Sequence, residues 1–388
     1  MPTRQRPGAA AIACIAIALV PLACPADTSF DQRASAGKPA DETASALRHL
    51  SDLAPYWPHS QLKGSLRILG SELKGSVELL AERFTRFHPE VRVSTSHIPS
   101  SEGGIAGLYL GVSDLAPMGD DAKITDLMPF YNTFGYLPTE VSVATGGYEE
   151  RGSLFAWAIV VNASNPLESI SVDQIQRVFG GERTGGWEII DHNYRFSARH
   201  ALNKADLIRN WDQLGLGGEY AGREIETFGY ASPGFATSIQ RHLLHWSRKW
   251  NPNFREFVEA KQAAPGPDGH AVSSERPLEE LESNRFAIGI AAIMHVRNYP
   301  GVKVLPVSWT DQGEAIELTP KNVANRRYPL IRDAYFYANK PPGRPLPPIV
   351  REFLVFCLSR DGQETIAEVG YYYPLPADYL AKQLQKLD

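Results

Sequence analysis

Short apolar runs alternate with segments of helical periodicity from about residue 64 onward. Residues 66–69 form an apolar run that ends at Gly70, which predicts a short strand. Between Ser76 and Phe87 the apolar residues recur at helical spacing, which predicts a helix. This alternation of strand and helix predicts an α/β protein whose sheet is mainly parallel. The same reasoning predicts a strand at 91–94, a helix at 105–110 and a strand at 114–116.

The pattern continues beyond residue 150 with further strands and helices. Trp157–Asn162 is a buried-type apolar run, which predicts a strand. Residues 171–179 predict a short helix with Ser171 as its N-cap. No period of 20–50 residues recurs, which excludes a solenoid. The other predicted features are a helix at 237–246, a helix at 350–358 and a polar, irregular insertion loop at 181–206.

The N-terminus has the pattern of a targeting segment. Arg4 and Arg6 precede an apolar run at 9–22, and small residues follow this run. The pattern predicts a secretory signal peptide over residues 1–26, which is too short to span a bilayer comfortably. An uncleaved anchor or a buried N-terminal helix is the alternative. Cys24 also leaves lipoprotein anchoring open, although the residues before it fit a lipobox poorly.

The remainder of the chain is expected to be exported. Residues 27–60 are polar and predict a linker, with a short helix at 43–53. No later stretch approaches 18 apolar residues, the length that predicts a membrane-spanning helix. Removal of the predicted signal leaves Cys357 as the one cysteine, so no internal disulfide is expected. Its apolar surroundings in the sequence predict a buried thiol.

Composition narrows the classes of function. The 388 residues carry 39 Lys+Arg against 44 Asp+Glu, a net charge of −5, with 43% hydrophobic and 21% charged residues. These values are typical of a globular protein and exclude wholesale disorder. A slightly acidic chain lacks the electrostatic footprint of a nucleic-acid-binding protein.

Three serine-containing turns stand where a predicted strand or loop leads into a helix. They contain Ser71, Ser101 and Ser232. The first turn of a helix presents unpaired N–H groups and partial positive charge, which favour an oxyanion. Plain N-capping by these serines is the alternative explanation. Three such turns in one chain favour anion binding moderately.

Other local motifs carry less chemistry. The glycine pair at 103–104 is not followed by Lys-Ser/Thr, which excludes a P-loop. His242 and His245 are three residues apart, but no third ligand has a suitable spacing, so we interpret them as a surface pair rather than a metal site. Asp120 and Asp121 are interpreted as a solvated pair. No metal, cofactor or catalytic residue is predicted.

Six longer stretches share a characteristic order and spacing: ILGSELKGSVELLAERF (68–84), SSEGGIAGLYLGVSDLAPM (100–118), VVNASNPLESISVDQIQRVFGG (160–181), IRNWDQLGLGGEYAGREIETFG (208–229), RRYPLIRDAYFYANK (326–340) and FLVFCLSRDGQETIAEVGYYYPLP (353–376). Together they resemble the PstS-like phosphate-binding component of phosphate ABC transporters. The resemblance runs from about residue 64 to 387. It implies a type II periplasmic-binding-protein-like α/β fold, in which two lobes are joined by two hinge strands and enclose a ligand cleft.

The resemblance also implies a layout and a role. Lobe 1 is expected at 62–145, lobe 2 at 146–324, and a return to lobe 1 at 325–388. The implied role is that of a periplasmic monomer that captures a small ligand, phosphate or a related oxyanion, without chemistry and delivers it to a membrane permease. An exported sensory protein that no longer binds free phosphate and a secreted hydrolase are the alternatives.

The phosphate-binding residues of the family transfer unevenly to this chain. Ser71, Ser101 and Asp114 match the family pattern and are expected to line one side of the cleft. Gly119-Asp120 stands where many relatives have Ser-Arg, and a carboxylate there would repel an anion.

The opposite wall departs further from the family pattern. Tyr230 stands where a phosphate-clamping arginine is usual, and residues 234–236 replace the usual Ser-Gly-Thr. Tyr230, Ser232 and Thr237 are expected to face the first wall across the cleft. Because a hydrogen bond to a charged group contributes roughly 1.5–3 kcal/mol, these losses cost about 5 kcal/mol and predict phosphate binding in the high micromolar range or weaker. On this hypothesis Tyr230→Arg would strengthen phosphate binding, since a guanidinium offers charge and a bidentate fork.

Overall fold

The alternating strands and helices fold into two α/β lobes, each around one five-stranded sheet. The predicted signal peptide and Ser101 lie outside the described residues. The structure, a computed structural model, describes residues 48–71, 73–98, 103–147, 156–258, 275–296 and 298–388.

The regular elements follow one another in three groups. The first lobe begins with β1 (Lys63–Gly70), α1 (Ser76–Phe87), β2 (Glu90–His97), α2 (Gly104–Tyr109), β3 (Leu115–Met118), α3 (Ile124–Phe134) and β4 (Thr139–Thr145). The second lobe contains β5 (Trp157–Asn162), β6 (Ile170–Ser171), α4 (Val172–Phe179), β7 (Gly186–Ile190), β8 (Asn193–Ser197), β9 (Glu226–Tyr230), α5 (Pro233–His242), β10 (Phe254–Phe257), α6 (Arg276–Ser283), β11 (Ala287–Ala292), α7 (Ile293–Val296), β12 (Val302–Leu305), β13 (Val307–Ser308) and α8 (Pro320–Ala324). The chain then returns to the first lobe with β14 (Asp333–Ala338), α9 (Pro348–Cys357), α10 (Arg360–Val369) and α11 (Ala377–Gln385).

Both sheets are mixed. The first has the order β2-β1-β3-β14-β4, with β1 parallel to β2 and β3 and with β14 antiparallel to both of its neighbours. The second has the order β10-β9-β11-β5-β12, with β9 parallel to β10 and β11 and with β5 antiparallel to β11 and β12. The predicted two-lobed α/β fold is confirmed, whereas the sheets are less parallel than the sequence pattern predicts.

Helices α1 and α4 begin and end where the local pattern predicts. Leu80 and Phe84 of α1 are fully buried, and the Phe84 ring packs edge-on against Phe353 of α9 with 5.2 Å between centroids. The Ser171 Oγ accepts a hydrogen bond from the Gln174 N–H at 2.9 Å, which satisfies a free amide in the first turn of α4. The periodic apolar face therefore defines α1, and the Ser171 cap defines the start of α4.

The described part of the predicted linker packs onto the first lobe. A 3₁₀ helix spans Arg48–Asp52, and Leu50, Leu53 and Tyr56 are buried in the first core. The Tyr56 hydroxyl donates a hydrogen bond to Glu352 Oε1 at 2.8 Å, so α9 holds this segment in place. Residues 48–56 are therefore part of the lobe rather than of a linker that extends to residue 60.

Two crossings join the lobes. In the first, β4 ends at Thr145 and β5 begins at Trp157, and residues 148–155 between them lie outside the described residues. In the second, Tyr328 is still buried in the second core, so the return to the first lobe comes after the predicted position 325. Arg326 forms an ion pair with Asp333 at 2.6 Å and donates to the Thr145 Oγ1 at 2.8 Å, which ties the two crossings together.

Residues 181–206, predicted as an irregular loop, contain the β7–β8 hairpin. The Leu137 N–H donates to the His192 carbonyl at 2.8 Å, which connects the first lobe to the turn of the hairpin. Tyr194 and Trp246 of the second lobe also pack against the apolar cluster of the first lobe that contains Phe130. The insertion therefore contributes to the contact between the lobes.

Two further sequence predictions bear on the site and its surroundings. Cys357 is fully buried, and burial raises the pKa of its thiol well above the usual range. The predicted buried thiol is therefore confirmed. None of the helices in the ranges described above combines the length and the apolarity that crossing a bilayer requires.

Candidate functional site

The carboxyl ends of β1 and β3 bring Ser71 and Gly119 together at one edge of the first sheet. The Ser71 N–H donates to the Pro117 carbonyl at 2.8 Å, which fixes the end of β1 beside β3. A side chain built on Gly119 would start 3.6 Å from the Ser71 Oγ. Ser71 therefore lies at the carboxyl edge of the sheet, where ligands of open α/β sheets collect, and its role as a binding residue stays a prediction.

Helix α5 of the second lobe faces this edge with its N-terminus. Ser232 is the N-cap, and its Oγ accepts a hydrogen bond from the Phe235 N–H at 3.3 Å. Pro233 and Gly234 follow in the first turn, so α5 begins four residues before the predicted position 237. The first-turn amides and the helix dipole make this end of α5 electropositive.

Asp120 joins the two lobes at this point. A Cβ built on Gly234 would lie 2.9 Å from Asp120 Oδ2 and 3.2 Å from Oδ1, so the carboxylate rests directly on the first turn of α5. Asp120 also forms an ion pair with Arg332, which immediately precedes β14. The interpretation of Asp120 as a solvated residue is therefore wrong, because its carboxylate fills the space between a guanidinium and a helix N-terminus.

Arg332 supplies the buried positive charge of the site. Its residue is only 7% exposed, and its guanidinium carbon lies 5.0 Å from the centroid of the Trp157 ring. Burial lowers the pKa of Arg332 to about 10, so the group is still protonated at neutral pH. A buried charge is costly without a counter-charge, and Asp120 provides one.

Asp121, the next residue, is the centre of a second contact between the lobes. It is 4% exposed, and its Oδ1 accepts hydrogen bonds from Arg241 and from the hydroxyl of Tyr335, each at 3.0 Å. His242 contacts the same carboxylate at 3.0 Å. Burial alone would raise the pKa of Asp121, but His242 and Arg241 outweigh it and hold the pKa well below its usual range. Asp121 is thus a buried ion-pair partner and not a solvated residue.

Glu140 of β4 completes this contact. Arg241 binds it in a bidentate fashion, with Nη1–Oε2 and Nη2–Oε1 distances of 2.8 and 2.7 Å. Arg241 and His242 belong to α5 of the second lobe, whereas Asp121 and Glu140 belong to the first. We call these four residues the interlobe clamp. Asp121 is buried, Arg241 and Glu140 are largely shielded from solvent, and the contacts among the four residues hold α5 against the first sheet.

Asp114 does not join Ser71. It immediately precedes β3, so it lies at the amino end of that strand, and Ser71 lies at the carboxyl end of the parallel strand β1. The Asp114 carboxylate accepts hydrogen bonds from Arg67, at 2.8 Å from the backbone N–H and at 2.7 Å from Nη2. Burial alone would raise the pKa of Asp114, but the bonds from Arg67 lower it. The carboxylate is committed to Arg67 at the opposite edge of the sheet.

Tyr230 does not form a wall of the cleft. The residue ends β9 and is 1% exposed, and its ring meets Phe235 edge-on with 5.6 Å between centroids. The ring of Trp157 lies 6.4 Å away on another side. Thr237 is also buried, in the second turn of α5, beyond the first-turn amides that face Asp120. The structure therefore brings Ser71 and the Ser232 turn together with Asp120, which the family resemblance implies at this position, and with Arg332, which no local sequence pattern indicates.

A separate cavity of about 550 Å³ opens beside the interlobe clamp. Its two arginines are already paired, since Arg326 contacts Asp333 and Arg241 contacts Glu140, and Lys382 lines it together with Asp378. Trp309, more than half exposed, lies at this cavity. The balanced charges make it a poorer oxyanion site than the space around Arg332.

His242 and His245, which are three residues apart in the sequence, have different partners. His245 stacks on His200 with 3.7 Å between ring centroids, and burial lowers the pKa of His245 to about 4. His242 instead belongs to the interlobe clamp. Among the residues that the structure describes, no group of three or more potential ligands is arranged to hold a metal ion.

Comparison with known proteins agrees with this two-lobed architecture. A family model described as a PBP superfamily domain matches residues 156–361, which is more than half of the chain. The chain belongs to the PBP superfamily. The region that matches the family model begins at the start of β5 and ends in α10, so the model covers the second lobe and part of the return to the first. This membership confirms the family resemblance that the sequence stretches indicate.

Individual relatives of this PBP superfamily member are similar along most of their length. The phosphate-binding protein PstS of Pseudomonas aeruginosa is 28% identical over 346 residues, which cover 89% of this chain and 94% of the relative. Among solved structures, an ABC-type phosphate transport receptor from Vibrio cholerae has 20% identity and a TM-score of 0.45, over 80% of this chain and 100% of that one. PstS from Borrelia burgdorferi has 17% identity and the same TM-score, over 80% and 99% of the two chains.

Proposed function

We propose that this protein is an exported substrate-binding protein that captures phosphate or a related small oxyanion between its lobes, without chemistry. One observation carries the proposal. Ser71, the first turn of α5 and the buried guanidinium of Arg332 converge at the carboxyl edge of the first sheet, where the lobes meet. The similarity to a curated phosphate-binding protein over 89% of the chain supports the ligand class.

The two crossings provide the mechanical part of the proposal. The chain passes between the lobes at two crossings, and the interlobe clamp holds α5 against the first sheet. A rotation of the lobes that breaks the clamp contacts would separate α5 from the edge that carries Ser71. Closure would bring the α5 amides and Arg332 onto a bound anion. Hinge closure of this kind is a common response to ligand in two-lobed proteins.

Binding without chemistry fits the roles of the site serines. The Oγ of Ser71 accepts the Leu73 N–H at 3.3 Å, and the Oγ of Ser232 accepts the Phe235 N–H. Both hydroxyls thus shape turns and are available to donate to an anion. A nucleophile would instead need a base placed to take its proton.

Export and delivery complete the proposed role. We expect the mature protein to act in the periplasm as a monomer and to deliver its ligand to a membrane permease of the ABC class. Intact-mass measurement of the secreted protein should give a start near Asp27 or a lipid-modified Cys24. A cytoplasmic protein that retains Met1 would contradict export.

A titration combined with scattering tests the binding role. Calorimetry with inorganic phosphate is expected to give a dissociation constant in the high micromolar range or weaker, and small-angle scattering should show compaction at saturation. Native mass spectrometry of freshly purified protein would reveal a ligand of another kind. If neither phosphate nor any carried-over ligand binds and compacts the protein, the proposed function is wrong.

A further inference from the structure

We propose that Asp120 is an internal competitor for the oxyanion site, with its carboxylate occupying the place between Arg332 and the first turn of α5 that an incoming anion must take. The inference rests on the proposed function and specifies how its site is regulated. In this role Asp120 sets a concentration threshold, so the cleft responds to abundant phosphate and not to traces of it.

The surroundings of the Asp120 carboxylate are those of an anion site. Arg332 contributes a buried charge, and α5 contributes its dipole and the backbone of Gly234, against which the carboxylate rests. Ser71 stands beside the preceding residue, Gly119. A free oxyanion would be recognised by the same three features.

Gly234 shows that the fit is close. A β-carbon there would come within 2.9 and 3.2 Å of the two Asp120 oxygens, so both oxygens lie flat against the helix. A tetrahedral anion needs this same space, and its charge would be repelled by the carboxylate. Anion and Asp120 therefore exclude each other.

The competitor is held close to the site at all times. Asp121 is anchored by Arg241, His242 and Tyr335, so the backbone of its neighbour Asp120 is fixed. A tethered group has a high effective concentration at a nearby site. The apparent affinity for an external ligand is then reduced by the fraction of molecules in which the site is free.

The test compares wild-type protein with Asp120→Asn and Asp120→Ala in the full mature chain. Asn removes the charge with little change of shape, and Ala vacates the space. Calorimetry with inorganic phosphate should show a dissociation constant about tenfold to a hundredfold lower in both variants, because one charged hydrogen-bonded competitor has been removed. Glu82→Gln is the matched control, because it neutralises a half-exposed carboxylate of α1 in the same lobe; it should leave the constant unchanged.

A second readout is independent of the titration. Asp120→Ala removes the Asp120 carboxylate from its ion pair with Arg332, so millimolar formate or phosphate should raise the melting temperature of this variant more than that of the wild type. This chemical rescue also shows that the variant is folded.

Two results would overturn the inference, and a third would distinguish it from the proposed function. Weaker or unchanged phosphate binding in both variants would show that Asp120 assists binding or has no part in it. Submicromolar binding by the wild type would show that no competition operates, and the proposed function would still stand. A variant that gains phosphate affinity while the wild type neither binds nor compacts with any ligand would support the internal competitor and contradict the proposed function.

Discussion

At the scale of single residues, substitution of Tyr230 tests whether this side chain lines the cleft or belongs to the core of the second lobe. Because its ring is enclosed by Trp157 and Phe235, we expect Tyr230→Arg to bury a charge among aromatic rings. The free energy of unfolding should fall by about 3 kcal/mol or more, and phosphate affinity should not rise. Urea denaturation and calorimetry measure the two quantities.

The control is Tyr230→Phe, which keeps the ring and should change stability by only about 1 kcal/mol. A stable Tyr230→Arg protein with stronger phosphate binding would show that the side chain reaches the cleft. That result would restore the expectation drawn from the family pattern.

Local sequence signals predict some residues of the candidate site but not others. Ser71 and Ser232 could be predicted because strand-to-helix turns have local sequence signals. Arg332 could not, since its place depends on β14 lying antiparallel to β3, where Tyr335 pairs with Met118. Asp120 was misinterpreted for the same reason, because its partner is more than 200 residues away in the sequence. No local pattern contains such a pairing.

At the scale of elements, the approach of α5 to the first sheet depends on Gly234. We expect Gly234→Ala to disfavour the closed arrangement, because the new methyl group would press on the Asp120 carboxylate. Overpacking costs about 1–3 kcal/mol, so the equilibrium between open and closed forms should shift by roughly tenfold to a hundredfold. Small-angle scattering should then give a larger radius of gyration.

Two controls accompany this variant. Gly217→Ala adds a methyl group where nothing lies within 4 Å and should leave the radius unchanged. Combining Gly234→Ala with Asp120→Ala should restore the wild-type value, since the obstructed carboxylate is gone. A Gly234→Ala protein with the same radius of gyration as the wild type would contradict this account of closure.

Elements with strong local signals were predicted well. The periodic face of α1 and the Ser171 cap of α4 placed both helices within about a residue. The β7–β8 hairpin was missed because residues 181–206 are polar and much of the hairpin's apolar surface, including Trp187, remains exposed. The pattern of buried positions that predicts strands is absent there.

At the scale of the whole molecule, the interlobe clamp makes stability depend on pH. The folded protein holds the pKa values of Asp121 and Glu140 below their usual 3.8 and 4.5. Such carboxyls stabilise the folded state above their unfolded pKa values, and this contribution is lost as pH falls through the folded values. We expect this contribution of the clamp carboxyls to be flat from about pH 7 to 5 and to decline below about pH 4. The lowered pKa of His245 adds a separate loss of stability as pH falls from its ordinary value of 6.5 toward about 4, because the unfolded histidine binds a proton that the folded one does not.

Asp121→Asn measures the contribution of the clamp directly. Because it leaves Arg241 with one buried partner fewer, unfolding free energy at neutral pH should fall by about 3 kcal/mol. The difference from wild type should shrink progressively below about pH 4, because Asp121 of the unfolded chain becomes protonated there while the folded carboxylate stays ionised until its lowered pKa is reached. Glu314→Gln, which breaks the exposed pair with Arg327, should cost less than about 1 kcal/mol at every pH. Thermal unfolding that shows a constant Asp121→Asn difference down to pH 2 would contradict this account.

The reaction of Cys357 with a thiol reagent can measure how fast the first lobe opens. Its thiol, on the last residue of α9, is enclosed in the core of the first lobe and is kept protonated by burial, so a thiol reagent reacts only when that core opens. The rate of labelling at saturating reagent is then the opening rate of the lobe. Two cysteines engineered on opposite sides of the cleft would react at once, whereas Cys357 would react slowly. The two rates would distinguish movement of the lobes from unfolding within the first lobe.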